Sequence, residues 1–272
     1  MFNIHVISDL DYGYNEVTDP EDLILPEEAD LVIFNGNIGR IKRVFLYMYE
    51  LCDKYPDKQF VFNLGELERY HRILPKVPYE GEESLAIRMK NSNEWPKNLY
   101  WKDPRSTDEL LIKLRNNQTI SVFATYGFPK LHSYEGDWED SYWYRNYCTA
   151  IKLKEELEHL EVKPKEYYDA SYGQIPLWAT PEWVNEQFKI TDLSAKKWEE
   201  NLKNFGVFIT HLNPYKDSRL TKMTISPYNI HLENLVWITS NTKVKNVNYL
   251  GAKLYSNPGR GKLARSEYIT VD

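Results

Sequence analysis

The chain has 272 residues, with 34 Lys and Arg against 40 Asp and Glu for a net charge of −6, and is 42% hydrophobic and 14% aromatic, with 2 Cys and 6 His. A chain of this length buries roughly three quarters of its unfolded surface without help from a metal or disulfide framework, its cysteines form no CxxC pair, and its acidic balance argues against wrapping nucleic acid as the main task. No run of about 18 apolar residues occurs, so neither a membrane span nor a signal peptide is expected, and the expected setting is a reducing cytoplasm.

In chain order, Phe2 to Ser8 reads as a short apolar strand that ends in the polar turn Asp9-Leu10-Asp11-Tyr12-Gly13. Asp30 to Gly36 is a second run, nearly continuous in apolar residues as expected of a strand buried on both faces. Ile41, Val44, Phe45, Met48, Leu51 and Tyr55 then recur at helical spacing, which predicts an amphipathic helix up to Pro56. Gln59 to Gly65 repeats the pattern of strand followed by glycine. Strands alternating with a helix or crossover are the grammar of a parallel sheet, whose functional groups sit on loops at the carboxyl ends of the strands.

Thr119 to Thr125 predicts a further strand, and residues 126–174 read as an insertion dense in aromatic and charged residues, with Ala150 to Val162 helical. Leu193, Ala195, Trp198, Leu202 and Phe205 predict a helix packed on the sheet. Strands then follow at Gly206 to His211, Asn234 to Thr239, Tyr249 to Ser256 and Glu267 to Val271. No repeat or linker interrupts this order, so 1–272 reads as a single domain.

Four strand ends carry a recognisable text: Ser8-Asp9-Leu10-Asp11, Phe34-Asn35-Gly36-Asn37-Ile38-Gly39, Leu64-Gly65-Glu66-Leu67-Glu68 and Ile209-Thr210-His211-Leu212-Asn213-Pro214. In this order they resemble the motifs D-x-H, G-D-x-x-[DG], G-N-H-[DE] and the T-H near a Pro of the calcineurin-like metallophosphoesterases. Thr239-Ser240-Asn241-Thr242-Lys243 falls where that family has its final G-H-x-H, and Ser256-Asn257-Pro258-Gly259-Arg260-Gly261 resembles the ending of one branch. The resemblance spans nearly the whole chain. It implies an α/β fold built as a two-sheet β sandwich flanked by helices, with two divalent cations held at the strand ends.

The family's cations activate water and neutralise phosphoryl oxygens. Carried over position by position, Asp9 keeps a carboxylate ligand and His211 an imidazole. The His of D-x-H is Asp11, the bridging Asp is Asn37, the amide ligand of the third motif is Glu66, and both His of the fifth motif are lost, to Asn241 and Lys243. Leu67 occupies the position of the family's catalytic His and cannot move a proton, so no catalytic residue is expected. An ammonium at position 243 has no lone pair for a metal, and Lys243 is expected instead to pair with Asp9 and Asp11. The relic site therefore comprises Asp9, Asp11, Asn37, Glu66, Glu68, His211, Asn241 and Lys243.

The resemblance then implies a non-catalytic homologue without cofactor that binds a protein partner, with the aromatic residues between Tyr126 and Tyr147 as the contact region. The alternative is an atypical phosphoesterase in which Asp9, Asp11, Asn37, Glu66 and His211 hold one Mg²⁺ or Mn²⁺, with Glu68 supporting a ligand from behind or acting as base. A structural subunit whose cleft is irrelevant is a third reading. Taken singly, Asp9 and Asp11 also fit turn capping, Asn37 a turn, and His211 and His5 packed core histidines. Richness in Lys, Asn, Tyr and Ile fits an AT-rich coding sequence, as in phages and other viruses, where the setting is the host cytoplasm.

Overall fold

A computed structural model describes residues 1–8, 10, 24–38, 41–65, 90–102, 108–125, 127, 181–211, 235–240, 247–249, 252–257 and 267–271. The elements are β1 (Phe2–Ile7), β2 (Leu31–Asn35), α1 (Ile41–Lys54), β3 (Gln59–Asn63), β4 (Leu99–Trp101), β5 (Leu110–Lys113), β6 (Thr119–Thr125), α2 (Pro181–Glu200), β7 (Phe205–Thr210), β8 (Leu235–Ser240), β9 (Val247–Tyr249), β10 (Ala252–Asn257) and β11 (Glu267–Val271). They form two sheets. One is five-stranded in the order β11-β1-β2-β3-β4, the other six-stranded in the order β5-β6-β7-β8-β10-β9. Strands β1 to β4 are parallel in the first sheet, with β4 at one edge, and β6, β7, β8 and β10 are parallel in the second; β11, β5 and β9 pair antiparallel at the other edges. The protein is thus mixed α/β.

Period-two alternation decides which layer each side chain enters. Phe2, Ile4 and Val6 of β1, Leu31 and Ile33 of β2 and Val61 of β3 meet Ile120, Val122 and Ala124 of β6, Val207 and Ile209 of β7 and Val236 and Ile238 of β8 in one core between the sheets. The intervening residues Val32, Phe34, Phe60 and Phe62 point the other way, onto Val44, Phe45, Met48 and Leu51 of α1. On the far side, Phe123, Phe208, Leu235 and Trp237 pack against Phe188, Ala195 and Trp198 of α2. The order is helix, sheet, sheet, helix. Both faces of every central strand are dry, which is why these strands read as unbroken apolar runs.

Three expectations need correction. Leu202 and Phe205 lie beyond α2, and Phe205 opens β7; the helix instead starts at Pro181 and buries Phe188, Ala195 and Trp198. Tyr249 to Ser256 is two antiparallel strands, β9 and β10, because the outermost strand of this sheet turns back on its neighbour. β4 and β5 were not anticipated, being only 3 and 4 residues long, too short to show a period. The helix expected at Ala150 to Val162 and the aromatic insertion at 126–174 lie outside the described residues, Gly127 apart.

The amino ends of the sheets are clamped by charge. Asp30, buried before β2, accepts from the Asn3 backbone amide at 2.9 Å and from Arg115 Nε, whose guanidinium also reaches the Glu28 carbonyl at 2.9 Å. Arg115 lies between β5 and β6, so this contact ties the second sheet to the first. Buried Lys58 donates to the Glu27 and Ala29 carbonyls at 2.8 and 3.0 Å.

His5 lies in this first sheet. It is buried, and among the described residues its Nδ1 has no hydrogen-bond partner. Burial first, and then the Lys58 ammonium, push its pKa down from 6.5 to about 4. The unfolded chain therefore takes up a proton near pH 6.5 that the folded chain refuses until about pH 4, so stability falls as pH drops through that window. We expect wild type to lose about 2 kcal/mol relative to His5→Leu between pH 7 and pH 5. Urea unfolding of both proteins at the two pH values measures this, and equal losses would exclude His5 as the source. The Cys52 thiol, also buried, is pushed up to about 12, chiefly by burial and then by Asp53, so it is a protonated core residue.

Candidate functional site

The carboxyl ends of the parallel strands of both sheets converge, and there the dry core gives way to a buried polar network. Asn35 and Asn63 end β2 and β3, Thr125 and Thr210 end β6 and β7, His211 follows β7, and Ser240 ends β8; all are buried. Asn35 Nδ2 donates to the Thr210 carbonyl at 2.9 Å, and Asn63 Nδ2 donates both to Asn35 Oδ1 at 2.9 Å and to the Thr125 carbonyl at 3.0 Å. The two amides thus bridge from the first sheet to the second. Their orientation is fixed by chemistry, because two of the three acceptors are backbone carbonyls that only an N–H can meet.

His211 is fully buried and its Nδ1 lies 2.9 Å from the Asn35 carbonyl oxygen, which can only accept. Nδ1 therefore carries a proton, and in the neutral ring the lone pair is then on Nε2. Ser240 Oγ stands 2.6 Å from the same Nδ1 and donates its own proton to the His211 carbonyl at 2.8 Å. Beneath the ring, Trp237 Nε1 donates to Thr210 Oγ1 at 2.9 Å.

The backbone approaches closely around this imidazole. Gly36 has φ +79°, and a Cβ there would meet His211 Nδ1 at 2.3 Å and Gly65 Cα at 2.6 Å. Gly65 is as tight: a Cβ would stand 2.3 Å from the Asn37 amide nitrogen and 2.7 Å from Asn37 Oδ1. Asn37 itself takes a left-handed backbone, with φ +53°, which an Asn tolerates better than most residues. The second, third and fourth sequence motifs therefore meet in space at Gly36, Asn37, Gly65 and His211.

Of the expected site residues, Asn37 and His211 are brought together through Gly36 and Gly65. Asp9, Asp11, Glu66, Leu67, Glu68, Asn241 and Lys243 lie outside the described residues, as do His71, His132, His159, His231 and Cys148. Sequence reasoning did not single out Asn35, Asn63 or Ser240. A signal was present: Phe-Asn-Gly and Phe-Asn-Leu-Gly each close an apolar run with an amide, and a polar side chain inside a dry layer requires a partner.

Of the expected ligands, the described residues hold one imidazole, His211, and one carboxamide, Asn37, and among the described residues no three His, Cys, Asp or Glu side chains gather as a metal group. Two hard divalent cations close together need anionic oxygen between them. The carboxamide at position 37 supplies none, and the expected carboxylates Asp9, Asp11 and Glu66 lie outside the described residues. Among the described residues, no helix is long and apolar enough to cross a membrane. Comparison with protein-family models and with curated protein sequences finds no match to this chain.

Proposed function

We propose that the chain is a calcineurin-like metallophosphoesterase homologue that has kept the scaffold and given up the reaction, and that it acts by binding a protein partner. The observation that carries this reading is Asn37: at the meeting point of three motifs, where the resemblance requires an anionic bridge, stands a buried neutral amide beside Gly65. Supporting it are the two sheets with helices on their outer faces, and the order in which the motif-bearing strands reach one edge. In sequence, Leu67 and Lys243 remove the proton-transfer group and a ligand from the same expected centre.

Purified protein is expected to carry no stoichiometric divalent metal and to leave an aryl phosphodiester unhydrolysed with or without added Mn²⁺. Elemental analysis and a colorimetric assay test both statements. Co-purification from lysate, compared between the full chain and a variant with the aromatic residues from Tyr126 to Tyr147 replaced, tests the partner and its contact region. A second reading is favoured by one observation, the Asn35 carbonyl 2.9 Å from His211 Nδ1, which in the neutral ring leaves the Nε2 lone pair that a metal ligand requires. It is an atypical phosphoesterase using one Mg²⁺ or Mn²⁺ with Asp9, Asp11, Asn37, Glu66 and His211. Metal at one equivalent, with turnover abolished by Asp9→Ala, would establish it and overturn the first reading.

A further inference from the structure

We propose that Ser240 is a positioning residue for His211, locking the imidazole as the Nδ1–H tautomer and fixing its plane at the junction of the two sheets. The 2.6 Å contact between Ser240 Oγ and His211 Nδ1 has the length of a nucleophile–base pair. The proton inventory reads otherwise. The Asn35 carbonyl, 2.9 Å from Nδ1, has no proton to give, so the ring is the donor there and Nδ1 cannot take a proton from the serine. The Ser240 hydroxyl in turn spends its proton on the His211 carbonyl at 2.8 Å, which leaves a lone pair facing Nδ1.

Ser240 thus holds one residue at two points. Its Oγ accepts from the ring and donates to the main chain of His211, while its backbone amide reaches that same carbonyl at 3.2 Å. Both residues are fully buried, so water does not compete for these groups. The ring can neither flip, which would put a C–H against two oxygens, nor shift its proton, which would set the Nδ1 lone pair against the Asn35 carbonyl. The imidazole is consequently a fixed acceptor through Nε2, whichever function the strand-end site performs.

Long-range ¹H–¹⁵N correlation spectra of histidine-labelled protein read the tautomer directly. His211, assigned by its loss in His211→Gln, is expected to show only the Nδ1–H pattern in wild type. Ser240→Ala is expected to raise the ratio of Nε2–H to Nδ1–H roughly tenfold, as loss of one buried hydrogen bond implies, and Ser240→Thr, which keeps the hydroxyl, to restore the wild-type pattern. An Nε2–H pattern in wild type would overturn the proposal even if no variant folds. An unchanged tautomer ratio in a folded Ser240→Ala protein would overturn it as well.

Discussion

Asn35→Leu is expected to destabilise the protein by about 4 kcal/mol, the largest loss among single substitutions at the strand ends. The amide joins two partners: its Nδ2 serves the Thr210 carbonyl, its Oδ1 accepts from Asn63, and all of these groups are buried. Leucine has a similar volume but leaves the Thr210 carbonyl and one Asn63 N–H without partners, and each orphaned buried group costs about 1–3 kcal/mol. Urea unfolding followed by far-UV circular dichroism measures the loss, and a change below about 1 kcal/mol would show that the network contributes little. Asn63→Leu is expected to cost a similar amount, since it strips the Thr125 carbonyl and Asn35 Oδ1. Because the two residues share a hydrogen bond, the double variant should lose less than the sum of the single losses, by about 1–2 kcal/mol.

Gly65→Ala is expected to cost about 3 kcal/mol or more and to displace Asn37 from its place against residue 65. The added methyl would stand 2.3 Å from the Asn37 amide nitrogen and 2.7 Å from Gly36 Cα. Both are backbone atoms, and a backbone held by strands on either side cannot yield as a side-chain terminus can. Gly206→Ala is the control. There the added carbon meets Leu235 Cδ2 at 2.3 Å and Leu202 Cδ2 at 2.8 Å, which are ends of rotatable side chains, and a cost of about 1 kcal/mol is expected. Thermal unfolding of the two variants side by side checks the contrast. Equal costs would mean that the close approach at Gly65 relaxes freely.

These expected costs bear on why the proposed loss of reaction leaves the fold intact. The groups that hold the strand ends together are Asn35, Asn63, Thr125, Thr210, Ser240 and His211, and of these six only His211 belongs to the ligand set implied by the family resemblance. Bridging by neutral amides needs no cation to offset charge, so the frame is supported with a carboxamide at position 37. The amino ends are clamped independently, through Asp30 with Arg115 and through Lys58 with two backbone carbonyls.

The strands β1, β2, β3, β6, β7 and β8 were legible in the sequence because each is dry on both faces, and α1 because Val44, Phe45, Met48 and Leu51 keep one stripe toward the sheet. Burial leaves a mark in composition and period, which are local properties. The positions of Asn37 and His211 at strand ends were legible for the same reason. What only the tertiary structure decided is which residues face one another: that even and odd residues of one strand enter different cores, that Asn35 and Asn63 reach across to the second sheet, and that Ser240 holds His211 by ring and main chain. Those hydrogen bonds join residues 29 to 175 positions apart in the chain, and they are set by sheet order and register, for which no local pattern in the sequence carries a code.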